Sequence, residues 1–357
     1  MQPREMFDPA PASIYLDAAT YGLPPRPTVE AMRRALEAWQ AGTADWVAEW
    51  DRAGEVCRDR FAQLVGGQEP AVALVPSVSA GVGTVAASLG PGDEVLLPDD
   101  EFTSVLYPLL VAERARGVVV RRAPFDSLAE ALGSGTRLVA FSLVQSQSGK
   151  TADLTGILGA AERVGARTLV DATHAVPFVP VQIDQLDFLV CAAYKHLLCP
   201  RGVAFLYVRP ERWADVPPIL ANWRSARDPY GHYYGGPLDL AADAARFDVS
   251  LAWFSWLGAS ISLDLLVQWQ REGRLDEVRD LARRLARNLD LDEPTSTVLS
   301  VAVEDAEGVR ASLARQGIRA AVRAGSVRLA PHVYNTPDEI DRAARALAPF
   351  VRATAHA

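Results

Sequence analysis

The run VCAAYKHLLCPRGVAFLYV, residues 190–208, sets Lys195 between two apolar stretches, with a proline and glycine turn after it. A primary amine at the end of a buried run is partly desolvated, which lowers its pKa and suits imine chemistry with an aldehyde. A solvated lysine at a strand end has the same local sequence. Upstream, TLVDATHAVPF ends another apolar run in Asp171, with His174 just beyond. A carboxylate paired with a protonated ring nitrogen keeps a cofactor cationic and electron-withdrawing. Taken in isolation, DxxH favours the plainer reading of a capping aspartate and a surface histidine. In VALVPSVSAGVG the amides of Val78 and Ser79 and the Ser79 hydroxyl fall at a helix start, where the dipole and unpaired donors favour a phosphate. An ordinary N-cap serine explains that stretch as well. Phe102, in LLPDDEFTSVLYP, either offers a flat face for stacking on a ring or belongs to the core.

The chain has 357 residues, 49% of them hydrophobic, enough for two or three structural units with a substantial core. A net charge of -8 and a pI near 5.3 argue against a nucleic-acid groove or an anionic membrane surface, which the average surface would repel. Small-molecule chemistry is the better match. Cys57, Cys191 and Cys199 are few, odd in number and without CxxC spacing, so neither a disulfide framework nor a metal site is expected, and a reducing cytoplasm is the default location. The N-terminus has no apolar signal core, and the apolar uncharged run 249–263 is shorter than a bilayer span, so no targeting or membrane segment is expected.

The elements that must position these residues follow from the hydrophobic period. After a proline-rich arm, TVEAMRRALEAW and WVAEWDRAGEVCRDRFAQLV repeat apolar residues at three- and four-residue steps, the spacing of amphipathic helices. The period then shortens. AVALVP, EVLLP, GVVVRRAP, RLVAFSLV, RTLVDA, DFLVCAAY and VAFLYV are nearly continuous apolar runs, as strands covered on both faces require. Helix-length segments separate most of them, which predicts a mostly parallel, doubly wound sheet. In such a sheet ligands sit outside the carboxyl ends of the strands, where Asp171, Lys195, Ser79 and Phe102 fall.

Beyond about residue 265 the rhythm changes: a charged helix REGRLDEVRDLARRLARNL, a strand TVLSVAV, a helix through AEGVRASLARQG, strands IRAAV and SVRLA, and a closing helix in TPDEIDRAARALAPF. The expected division is an arm, 1–20, a large domain, 21–265, and a small α+β domain, 266–357, to which the N-terminal segment contributes. NWRSARDPYGHYYGGPLD carries too much Gly, Pro and aromatic content for a regular element and is a candidate loop to approach a ligand or a partner subunit.

Taken together and in this order, the residues resemble the pyridoxal-phosphate (PLP) enzymes of the class V aminotransferase family, which includes cysteine desulfurases, selenocysteine lyases, kynureninase and isopenicillin N epimerase. The resemblance runs from YLDAAT at 15–20 to RLAPHVYNTPDEID at 328–341. It implies fold type I: an α/β chain with a mostly parallel seven-stranded sheet and a smaller α+β C-terminal domain. It also implies that Lys195 carries the PLP aldehyde as an internal aldimine, that Asp171 pairs with the pyridinium nitrogen, and that Phe102 stacks on the ring where many relatives have histidine. His174 would contact the phenolic oxygen, Ser79 and the Val78 amide the phosphate, and Arg328 the substrate α-carboxylate through its planar fork.

Where relatives often carry a serine and a histidine before the lysine, this chain has Ala192 and Tyr194, and Tyr194 is the expected substitute at the phosphate. Ser146 falls near a cofactor-contacting asparagine of relatives, with Gln145 beside it as a substrate-side residue. Relatives build each site from two subunits. A homodimer is therefore expected, with Ser250, in ARFDVSLAW, touching the partner's cofactor phosphate.

The implied chemistry starts with an amino acid displacing Lys195, which then removes the α-proton to leave a quinonoid. Desulfurases need a cysteine on a mobile loop before the carboxylate-binding arginine. Here that region reads QGIRAAVRAGSVR, without one, which disfavours persulfide formation. The expected activity is a β-eliminating C–S type lyase. The alternatives are an aminotransferase, epimerase or decarboxylating deaminase of secondary metabolism and, from another class, a PLP-fold binding protein without turnover or a chain that binds no PLP. Trp223, Tyr230, His232, Tyr233 and Tyr234 are candidates for an aromatic wall selecting a bulky substrate, or for ordinary loop packing.

Overall fold

The computed structural model describes residues 2–352 except His232. In chain order its strands are β1 (Ile14–Tyr15), β2 (Val72–Val75), β3 (Glu94–Pro98), β4 (Val119–Ala123), β5 (Thr136–Ser142), β6 (Arg167–Asp171), β7 (Phe188–Ala192), β8 (Ala204–Val208), β9 (Leu299–Ala302), β10 (Ile318–Arg319), β11 (Ala321–Arg323) and β12 (Ser326–Leu329). The helices are α1 (Arg26–Ala41), α2 (Arg52–Val65), α3 (Val78–Ala86), α4 (Thr103–Arg116), α5 (Leu128–Ala131), α6 (Leu154–Val164), α7 (Trp253–Arg271), α8 (Arg274–Asn288), α9 (Ala306–Arg315) and α10 (Pro337–Leu347).

Seven strands form one sheet in the order β2-β8-β7-β6-β5-β3-β4. Only β8 is reversed, lying antiparallel to both neighbours, so the sheet is mostly parallel as expected. Strands β2, β6, β7 and β8 are buried at every position, the reason their sequences are almost unbroken apolar runs. GVVVRRAP departs from the expectation of cover on both faces. It supplies β4, the edge strand, where Val119 is half exposed and Arg122 is exposed, while Arg121 turns back over the sheet to Glu94 and Thr136.

Helices α2 and α7 cover one face, where Phe61 stacks on Phe205 of β8 with ring centroids 4.1 Å apart and Trp256 of α7 meets the same ring edge-on. Helices α3 and α4 cover the other through Val78, Val82, Val85, Leu106 and Leu109. WVAEWDRAGEVCRDRFAQLV, expected as one regular helix, opens with a π-helical turn, Trp46–Asp51, before continuing as α2. That wider turn seats Asp51 in the interior, where Arg224, Tyr230 and Trp253 all donate to it.

Strands β11-β12-β9 make an antiparallel sheet, and α8, α9 and α10 close a core of their own around Leu285, Val301, Leu313 and Ile340. Helix α7 runs unbroken through residue 265. IRAAV, expected as one strand, is divided between two sheets: Ile318 and Arg319 pair with β1, while Ala321–Arg323 form a hairpin with β12. Ala324 and Gly325 close that hairpin at φ of 46° and 77°, a two-residue turn whose twist matches the strands it joins.

Candidate active site

The carboxyl ends of β2, β3, β5, β6 and β7 open into one cleft. Val78, Ser79, Phe102, Ser146, Asp171, His174, Tyr194 and Lys195 all line it. These residues are far apart along the chain.

The backbone leaves β7 and turns sharply: Leu198 donates its amide to the Lys195 carbonyl at 3.1 Å, and Ala193 donates to Val203 at 3.0 Å. The N-terminal arm lies against this turn, Gly22 donating to the Tyr194 carbonyl at 3.0 Å. A Cβ on Gly22 would sit 2.2 Å from the Lys195 carbonyl oxygen, so only glycine permits the approach. The Lys195 side chain is thereby buried, with Nζ 2.9 Å from Nε2 of His174. Burial lowers the amine to about 8, opposed by the Asp171 carboxylate and reinforced by the Arg328 and Arg323 guanidiniums. Burial, and then the Lys195 charge, hold His174 well below its usual range. The ring is neutral, and its Nδ1 is buried without a hydrogen-bond partner among the described residues.

Asp171 ends β6 opposite Ser142 of β5. Its Oδ1 accepts the Thr173 amide at 2.9 Å, and Thr173 Oγ1 in turn accepts the Ala192 amide at 2.9 Å, which ties the ends of β6 and β7 together. Burial raises the carboxyl, while the Thr173 hydrogen bonds and Lys195 pull it down. Among the described residues no cation stands within ion-pair distance of it. The floor of the cleft therefore carries a buried acid without a counter-cation.

At the other end, Ser77 rather than Ser79 caps α3, its Oγ accepting the Ala80 amide at 3.3 Å. The Val78 and Ser79 amides have no acceptor among the described residues, and the Ser79 hydroxyl lies 3.1 Å from that of Ser77. Arg201 lines the same cleft, its guanidinium 4.7 Å from the Tyr194 ring centroid. This cation is not among the residues expected from the sequence; its only local signal is its place in the CPRG turn shortly after the lysine. Phe102 is half exposed at the mouth, its ring centroid 5.3 Å from Lys195 Nζ.

Three expected residues do not line the cleft. Arg328 is 1% exposed and reaches it only through Ser146, donating from Nη1 to the Ser146 carbonyl at 2.7 Å and from Nη2 to Thr20 Oγ1 at 2.8 Å. Gln145 is 2% exposed and turns its Nε2 toward Asp100. Ser250 is exposed just ahead of α7. In the aromatic loop Trp223 packs against Tyr230 and Tyr233, Tyr234 is 94% exposed, and none of these lines the cleft. His232 lies outside the described residues. All three cysteines are buried, and burial pushes their thiols up.

PLP fits this set of groups. A ring N–H would meet Asp171, which lacks a cation partner among the described residues, an aldehyde the Lys195 amine with its lowered pKa, a phenolic oxygen the orphaned Nδ1 side of His174, and a phosphate the free amides of Val78 and Ser79 with Arg201. The family model for aminotransferase class-V matches residues 14–326. An isopenicillin N epimerase of Streptomyces clavuligerus is 31% identical, the match covering 81% of this chain and 82% of that protein. Among solved structures, a point mutant of C-DES with glycine covalently linked to the PLP cofactor superposes with a TM-score of 0.88 at 21% identity over 98% of this chain and 100% of that one. A probable cysteine desulfurase of Methanothermobacter thermautotrophicus is 28% identical, over 70% of this chain and 66% of that protein.

Proposed function

The chain belongs to the class V aminotransferase family of PLP-dependent enzymes, and from that premise we propose that it removes the α-proton of an amino acid with Lys195 and completes a β-elimination, a C–S type lyase without a persulfide cysteine. The observation that carries this reading is the pairing of a buried lysine amine, lowered to about 8, with a buried aspartate that has no ion-pair partner among the described residues, both lining one cleft. When bound, PLP supplies the electron sink that acidifies the α-carbon.

The chain's own residues do the rest. Asp171 holds a proton on the ring nitrogen. Lys195, neutral at mildly alkaline pH, takes the substrate proton, and His174 keeps its amine oriented through the 2.9 Å contact. Val78, Ser79, Tyr194 and Arg201 bind phosphate, Phe102 covers a ring face, and Ser146 joins the cofactor side. Arg328 would receive the α-carboxylate only by giving up its bonds to Ser146 and Thr20, which screen it from the cleft, and Gln145, turned to Asp100, would support that side from behind.

Two observations support elimination. The hairpin before Arg328 is a closed two-residue turn without a thiol, so nothing there accepts sulfur. On the side of Lys195 where Phe102 stands, the apolar ring offers no second base for inversion, and the neutral His174 is committed to the amine itself. Epimerisation is the second reading, favoured by the 31% identical isopenicillin N epimerase. Product analysis of the holoenzyme with a panel of amino acids separates them. Pyruvate and ammonia from β-substituted alanines support elimination; α-deuterium uptake with an intact side chain supports epimerisation; a keto acid with pyridoxamine phosphate supports transamination. A wild-type protein that takes up PLP but turns over nothing would be the non-catalytic alternative.

A homodimer in which Ser250 and the aromatic loop complete the partner's site remains part of this proposal, as do a cytoplasmic location and the division at 20 and 265. Among the described residues no helix is long and apolar enough to cross a membrane.

A further inference from the structure

Glu101 is a buried carboxylate just outside the cleft, and every group within hydrogen-bond distance of it is a donor. Its Oε1 accepts the Phe102 amide at 2.7 Å and the Ser142 hydroxyl at 2.5 Å; its Oε2 accepts the Ser142 amide at 2.8 Å. Phe102 has no polar handle, so no side-chain hydrogen bond aims its ring; its carbonyl is held by the Val105 and Leu106 amides at the start of α4 and its amide by Glu101. Ser142 is the cross-strand partner of Asp171. Given that the cleft holds PLP as proposed above, we infer that Glu101 is a positioning residue: one carboxylate seats both the ring-covering Phe102 and the strand end beside Asp171.

The donor count makes this seating depend on ionisation. A carboxylate accepts all three bonds. A neutral carboxyl has to donate one hydrogen, and only the Ser142 hydroxyl can reverse to receive it. That hydroxyl shares Oε1 with the Phe102 amide, so protonation loosens the hold on Phe102. Burial pushes Glu101 up to about 7, its hydrogen bonds oppose that, and the Asp171 charge on β6 adds to it. On its own turn Asp99 and Asp100 are the other acids, Asp100 receiving Gln145. The first turn of α4 carries no acidic residue, and no cation lies within ion-pair distance of Glu101 among the described residues.

The test is the visible circular dichroism of bound PLP, which reports how the ring is seated, together with PLP affinity from fluorescence quenching, both from pH 5.5 to 9. In the wild type the dichroism should step near pH 7. Glu101→Gln should lose that step and bind PLP about tenfold more weakly, because the amide cannot accept three donors; Glu101→Asp should restore part of both. Ser142→Ala, which removes one donor and keeps the fold, should move the midpoint to higher pH. The titration of Lys195 is common to all variants and cancels in the differences. An identical profile and affinity in Glu101→Gln, or an unmoved midpoint in Ser142→Ala should Glu101→Gln fail to fold, overturns the role of Glu101. A wild type that takes up no PLP overturns the cofactor reading on which it stands.

Discussion

The Nζ of Lys195 stands 2.9 Å from Nε2 of His174, and the same burial favours the neutral form of both groups. The ring can therefore accept from the amine, and the amine is ready for an aldehyde or for the proton of a bound amino acid.

The rate at which the apo-protein takes up PLP should follow the fraction of neutral Lys195. It should rise with pH through a midpoint near 8, read as growth of the visible band from pH 6.5 to 10. A lowered base also contributes stability that is complete above its unfolded value, near 10.5, and is lost as pH falls through about 8, so the apo-protein should be less stable at pH 7 than at pH 9 on this account. A midpoint near 10 would mean that the amine is solvated.

Asp171→Asn keeps the shape of the floor but cannot hold a proton on the ring nitrogen. Turnover should fall by at least about a hundredfold. Borohydride-fixable attachment to Lys195 should survive. Unchanged turnover would remove the aspartate from its assigned part.

Gly22→Ala places a Cβ 2.2 Å from the Lys195 carbonyl oxygen, a backbone atom that cannot rotate away. Overpacking of this kind costs about 1–3 kcal/mol, and here the strain displaces the turn that aims the amine. Melting temperature and PLP affinity should both drop. Gly83→Ala is the matched control: nothing lies within 4 Å of its Cβ, and alanine inside α3 should stabilise by about 0.5–1 kcal/mol.

Arg328→Lys retains the charge and loses the fork that spans the Ser146 carbonyl and Thr20. KM should rise by about tenfold or more, with a smaller change in kcat. If both constants matched the wild type, the substrate carboxylate would have to bind elsewhere.

Much of this fold was readable along the chain because the signals are local. Continuous apolar runs mark strands covered on both faces wherever in the sheet they lie, and Asp171 and Lys195 announce themselves by ending such runs, where an open parallel sheet exposes its ligand edge. The edge placement of β4 was hidden, since GVVVRRAP carries an apolar run whether or not a helix covers it. Hidden too was the division of IRAAV, because pairing with β1 or β12 is a choice between distant partners.

The site divides in the same way. Residue type and local spacing mark Lys195, Asp171, Ser79 and Phe102 as able to do chemistry. Folding alone turns His174 onto the amine, screens Arg328 behind Ser146, swings Gln145 to Asp100, brings Arg201 to the cleft and leaves Glu101 surrounded by donors. Such contacts join residues far apart in the chain. They depend on strand order and on how much water the packed sheet excludes, quantities that no short stretch of sequence carries.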